Sequence, residues 1–338
     1  MKNAPGLVLC FLVALPAWFL GRTFPLAGGP IIAILAGILI SFTAPRLVKH
    51  QFGNELNFSE GLKFGSKKVL QYSIILLGFD MNLFNILRVG STSLVILGSV
   101  IAISLLCAFF AGKALRVPGN TAVLIGVGTS ICGGSAIAAI APVIQAEDED
   151  VARAISTIFL FNIIAVLLFP SLGRMLGLGD GDFGIWAGAA INDTSSVVAA
   201  GTAWSNVAEN NTALAIATIV KLTRTLMIAP IALVLAIYTA RKMKSKERVQ
   251  FSFVKVFPWF VIFFIAAAII NTFIGIPPDS SSLLVSIGKF GITMALAAIG
   301  LNTNLKDLFS GGIKPLLLGL ICWAAIALVS LGLLQYLP

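Results

Sequence analysis

Four short stretches carry residue types that can do chemistry in an otherwise apolar chain. They are Thr129-Ser130-Ile131-Cys132-Gly133-Gly134-Ser135, Asn192-Asp193-Thr194-Ser195-Ser196, Lys221-Leu222-Thr223-Arg224, and Asp80 within LLGFDMNL. The first two combine small hydroxyl groups with helix-weakening residues. Gly133-Gly134 costs roughly 2 kcal/mol of helix propensity relative to two alanines. In lipid a broken backbone is tolerated only where it is buried in protein or lines a wet cavity. Each break predicts a half-helix starting near Gly134 or Thr194, with free N–H groups and a positive dipole end at mid-membrane. That is an anion site made of backbone. Thr129, Ser130, Ser135, Thr194, Ser195 and Ser196 would add hydroxyl donors, and Asn192 an amide. Close helix packing by small residues is the competing reading of either cluster alone.

Lys221 and Arg224 lie three residues apart, on one face of a predicted span. Ionisable groups inside a span cost several kcal/mol and mark a pathway or a pair. Asp193 is the natural partner, as a structural ion pair or as part of a site with one excess positive charge. A carboxylate beside an anionic substrate is repulsive. The conflict disappears if Asp193 is protonated, sodium-bound or paired with Lys221 or Arg224, which makes it a candidate coupling residue. Its blander reading is an N-cap of the half-helix that follows. Asp80, near a span end, is a second coupling candidate or an interfacial acid. The run Glu147 to Asp150 reads as a solvated loop and the acidic start of a helix.

The elements that must position these residues follow from composition. Of 338 residues, 58 % are hydrophobic and 11 % charged, against roughly 25 % charged in soluble domains. The mean hydropathy is +1.00. The apolar runs are long rather than alternating, so helices are expected and not a barrel. The expectation is an all-α polytopic membrane protein, one integral domain over 1–338. Its spans are 5–21, 30–44, 57–80, 92–115, 149–174, 209–240, 254–274, 283–303 and 313–336. These nine are joined by two discontinuous or re-entrant elements, 118–146 and 182–206. Residues 5–21 read as a retained first helix rather than a signal peptide.

The net charge of +9 does not point to nucleic acid. The basic residues cluster in short loops, with Arg46, Lys49, Lys63, Lys67 and Lys68 in one group and Arg241, Lys242, Lys244, Lys246 and Arg248 in another, as the positive-inside rule expects. His50 is the single histidine and the four cysteines are scattered, so no metal site, cofactor or disulfide framework is expected. Pro170 and Pro230 are expected to shape helix ends.

Internal repeats strengthen the pairing of the two breaks. At a shift of 61 residues, Ala152–Ile158 falls on Ala213–Ile219 and Gly134–Ala139 on Ser195–Ala200. The repeat units are approximately 118–174 and 182–240. A weaker echo pairs Leu77–Leu83 with Ile299–Leu305. Such repeats are a transporter signature. If each irregular segment is a hairpin the copies are inverted; if it crosses, they point the same way. Two arms, 119–131 and 134–146, would each reach about 20 Å, past the midplane but not across, which favours hairpins without excluding a crossing helix.

SICGGSAIAA followed by AINDTSSVVAAG resembles the YeiH-like proteins, a bacterial inner-membrane family described as sulfate exporters. That family is grouped with the cation–proton antiporters and anion transporters. CGGSAIAAIAPVI is also similar to the discontinuous helix of bile-acid sodium symporters, though Cys132 here precedes Gly133-Gly134 with no intervening proline. LLGFDMNL resembles a Gly-Leu helix of the same proteins. The resemblance implies inverted repeats, discontinuous helices, a central site and a multi-pass protein of the bacterial inner membrane. The sulfate label belongs to the family and is not read from these residues.

The functional expectation is ion-coupled secondary transport of a small anion, sulfate or a related oxyanion first. The coupling ion is a proton or sodium, lipid is the surrounding partner, and a homodimer is an open alternative. A sodium/proton-type antiporter is the alternative within transport; a passive channel or structural membrane protein is the alternative from another class. An enzyme with Cys132 or a serine as nucleophile is not expected, because no histidine base lies nearby.

Overall fold

The computed structural model describes residues 4–24, 28–44, 58–242, 257–303 and 311–336. Arg46, Lys49, His50, Lys244, Lys246, Arg248 and the end of the weaker repeat (Asn304, Leu305) lie outside the described residues. All regular elements among the described residues are helical: α1 Ala4–Thr23, α2 Gly28–Thr43, α3 Phe58–Phe64, α4 Leu70–Leu77, α5 Leu83–Leu115, α6 Gly119–Ser130, α7 Gly134–Ile140, α8 Asp148–Met175, α9 Asp180–Ala190, α10 Thr194–Ala208, α11 Thr212–Leu226, α12 Ile228–Lys242, α13 Trp259–Ile274, α14 Pro278–Asn302 and α15 Ile313–Leu334. A π-helical turn, Gly65–Val69, joins α3 to α4, and a 3-10 turn, Gly78–Asp80, ends α4. Six candidate spans are long and apolar enough to cross a membrane: α1, α5, α8, the α11–α12 pair, α14 and α15. The chain is a multi-pass membrane protein, all-helical among the described residues, and its outward faces carry large apolar side chains such as Phe109, Phe110, Leu12 and Leu328.

Two departures from the expected spans have local causes. The fourth begins at Leu83 rather than 92, because Asn82 caps it by accepting from Phe84 N at 2.8 Å and Asn85 N at 3.4 Å. The span expected over 209–240 is two helices meeting at Met227. Pro230 sits in the first turn of α12, where its missing N–H removes no helical bond. Pro170, expected near a helix end, lies inside α8.

The two irregular segments are helical hairpins. α6 and α7 pack on each other, and α6 is tied to the start of α8 by Thr121 donating to the Asp150 carboxylate. The acids open α8 as the sequence predicts, with Glu147, Asp148 and Glu149 exposed, while Asp150 is buried and bonded. In the second hairpin the outer ends of α9 and α10 are fastened together. Trp204 Nε1 donates to Asp180 Oδ1 at 2.7 Å, and Asn210 Nδ2 donates to Asp180 Oδ2 at 2.8 Å. Phe183 and Trp204 stack at 4.0 Å between the arms. α9 and α6 start 61 residues apart (Asp180 and Gly119), the repeat shift read from the sequence.

Candidate functional site

The hairpin tips meet. α6 ends at Ser130 and α7 begins at Gly134; α9 ends at Ala190 and α10 begins at Thr194. Gly133 adopts φ +68°, ψ −130°, outside the space open to most L-residues. A Cβ built on it would lie 3.6 Å from the Asp193 Cβ and 3.3 Å from Ile158 Cγ2. The second tip is thus directly against the first.

Two helix C-termini converge at this point. The last carbonyls of each have no partner within their own helix and carry the negative pole of the dipole. Lys221 and Arg224 resolve the conflict. The Lys221 ammonium donates to Ile131 O at 2.8 Å, to Ile191 O at 3.1 Å and to Asn192 O. Arg224 Nε donates to Ser130 O at 2.7 Å, Nη1 to Ala189 O at 2.6 Å and to Ile191 O at 3.4 Å, and Nη2 to Thr129 O. Each cation bridges both tips, and both side chains are 0 % exposed. Their reach depends on how closely α11 lies against α9: a Cβ on Gly188 would stand 2.7 Å from Ala217 O and 2.8 Å from Val220 Cβ.

The ion pair of Asp193 with Lys221 or Arg224 is not present. Asp193 caps α10 instead, its Oδ2 accepting from Ser195 N at 2.9 Å and from the Ser195 hydroxyl. Its own N–H donates to Asn162 Oδ1 at 3.1 Å. Asn162, buried in the middle of α8, was not among the candidate residues. The signal available was a lone amide in the apolar run FLFNIIAV.

The remaining candidates divide. Ser130 is buried and donates to Val127 O at 3.1 Å; Ser195, Ser196 and Thr194 are buried at the start of α10. Thr129 Oγ1 and both amide atoms of Asn192 are buried at the two tips without a hydrogen-bond partner among the described residues. Ser135 is exposed, and a Cβ on Gly134 would meet nothing within 4 Å, so the start of α7 opens to one side. Asp80 is not part of this crossing. It lies in the turn after α4, accepts from Asn211 Nδ2 at 3.3 Å, and is linked through Asn211 Oδ1 to Lys289 Nζ at 2.7 Å.

Residues 5–319 match the family described as Conserved hypothetical protein 698. The chain is similar to the UPF0324 membrane protein FN0533 of Fusobacterium nucleatum, with 49 % identity over 347 residues, covering 98 % of this chain and 97 % of the relative. It is similar also to the UPF0324 membrane protein SpyM3_0740 of Streptococcus pyogenes serotype M3, with 51 % identity over 339 residues and coverage of 98 % and 97 %. A UPF0324 membrane protein of Streptococcus mutans is 49 % identical over 338 residues, with 98 % and 96 % covered. With these matches spanning both hairpins and the helix that carries Lys221 and Arg224, the chain belongs to the Conserved hypothetical protein 698 family of membrane proteins.

Proposed function

We propose that the protein is a secondary active transporter of a small anion, with its substrate site at the crossing of the two hairpin tips. The observation that carries the reading is the pair of fully buried cations, Lys221 and Arg224, held at two helix breaks without a carboxylate partner. Such breaks with charge at mid-membrane are what a transported ion's site requires. With their donors directed at carbonyls, Lys221 and Arg224 supply field rather than direct contact. Direct contacts to the substrate come from the unpartnered Thr129 hydroxyl and Asn192 amide, and from free N–H groups where α7 begins, the start of α10 being capped by Asp193. Sulfate or a related oxyanion is the first candidate, on the family resemblance.

In this reading nine crossings are α1, α2, α3–α4, α5, α8, α11–α12, α13, α14 and α15. The hairpins enter from opposite faces and the two repeat units are inverted. The ties at the hairpin bases support this: one base sits at the start of α8, and the other, through Trp204 and Gly173, sits at its end. Alternating access then exposes the tips first to one face and then to the other. Asp193, half-buried and hydrogen-bonded to Ser195 rather than salt-bridged to either cation, is the coupling residue for a proton or sodium.

The test is reconstitution into proteoliposomes with an imposed pH or sodium gradient, measuring uptake of sulfate and other oxyanions. Gradient-driven anion accumulation is the expected result. Proton flux that depends on sodium and ignores every anion supports an antiporter instead, and dissipation with no accumulation a channel.

A further inference from the structure

The Lys221 nitrogen is enclosed by three main-chain oxygens, one from Ile131 on the first tip and two, from Ile191 and Asn192, on the second. Three acceptors around one nitrogen use all three N–H bonds of an ammonium. A neutral amine has two and could serve only two of the three oxygens, of which Ile191 O keeps a second donor in Arg224 Nη1 at 3.4 Å. Converging backbone carbonyls with no carboxylate among them are also the ligand set that binds monovalent metal cations in membrane proteins. Arg224 does not share this geometry: its planar fork spreads over four carbonyls rather than placing one charge at their centre.

We propose that the Lys221 ammonium is a tethered monovalent cation. It fills a three-carbonyl cation site at the crossing of the tips, so the crossing takes no alkali ion while Lys221 is present. Truncating the side chain empties that position and leaves the oxygens of Ile131, Ile191 and Asn192 for a small free cation. The inference concerns what holds the tips together and does not depend on what the protein transports. Within the transport reading it makes the proton, at Asp193, the coupling ion.

The test measures thermal transitions of purified full-length protein in chloride salts of sodium, potassium, ammonium, methylammonium and choline at equal ionic strength. The wild-type protein is expected to melt at one temperature in all five. Lys221→Ala is expected to melt lower in choline and to gain a saturable upward shift in at least one of the small cations. Lys221→Met fills the space of the stem without the charge, so it is expected to melt low in all five. Three results overturn the proposal: wild-type protein stabilised by sodium or potassium over choline; a Lys221→Ala protein indifferent to the cation or recovered folded in none of the salts; or a cation-dependent shift in Lys221→Met equal to that in Lys221→Ala. Because the readout is stability, absence of anion transport would leave this result standing, and its failure would leave the anion reading standing.

Discussion

Lys221 and Asp193 meet at the same crossing without pairing: Lys221 donates to the carbonyl of Asn192, the residue before Asp193, while the Asp193 carboxylate accepts from Ser195. The cation serves the C-terminal end of one half-helix and the anion the N-terminal end of the next. Each charge sits at the dipole pole that favours it. Charge separation at the tip is thereby built into the turn between α9 and α10, and either group can change state without first breaking a salt bridge.

Arg224→Ala should be destabilising before it is anything else. It removes the donors that satisfy Thr129, Ser130 and Ala189 carbonyls, on the order of 1–3 kcal/mol for each one left buried and unpaired. Arg224→Lys should fall between, since an ammonium has three donors and lacks the planar fork that reaches the carbonyls of Thr129, Ser130, Ala189 and Ile191. Thermal unfolding in detergent gives the order wild type, Lys, Ala. A variant that melts like wild type would show that the carbonyls find other partners.

The two adjacent glycines should not be equivalent. Gly133→Ala forces a side chain into φ +68° against Ile158, a strain of about 1–3 kcal/mol. Gly134→Ala adds a methyl to open space at the first residue of α7, where little change is expected. Comparing their melting temperatures checks the backbone at the tip directly. Equal losses would mean that the break is positioned differently.

Much of this arrangement was legible. Gly133-Gly134 and Asn192-Asp193 announced breaks because their helix costs are local, and the helices start at Gly134 and Thr194 as the spacing required. Asp193 as a cap was legible for the same reason. What Lys221 and Arg224 bond to was not. Their acceptors are carbonyls, which every residue carries, so no residue type marks them. By residue type alone Asp193 is the visible partner for Lys221 and Arg224, yet it caps α10 instead. Asp150 is legible as part of the acidic start of α8; its burial is not, because its partner, Thr121, is remote in sequence and brought close by the hairpin. The early start of α5 was missed because Asn82 sits in an apolar context that hides a cap.

Opposite entry of the hairpins has a chemical test. Glu147 and Gly179 are exposed beside the bases of the first and second hairpins. Glu147→Cys and Gly179→Cys should react with a membrane-impermeant thiol reagent from opposite faces of sealed vesicles. The native cysteines provide a low background, since Cys10, Cys132 and Cys322 are buried and Cys107 is half-buried. Labelling of both from one face would mean that the repeat units run parallel, and alternating access by inverted copies would fail.

The coupling role of Asp193 can be separated from its capping role by two substitutions. Asn is as good an N-cap as Asp, so Asp193→Asn should preserve the Ser195 N–H contact and cost little stability. It also fixes the side chain in a neutral state. If Asp193 couples, this variant binds substrate but loses the pH or sodium dependence of transport and can no longer accumulate against a gradient. Asn162→Ala supplies the complementary perturbation. It removes the acceptor of the Asp193 N–H, leaving a half-buried donor at a cost of about 1–3 kcal/mol, and keeps the carboxylate. Its expected effect is a lower melting temperature and a shifted rather than abolished pH dependence. Proteoliposome flux across a pH series reads both variants on one scale. Asp193→Asn protein that still drives substrate uphill with unchanged ion dependence would leave Asp193 as a helix cap alone.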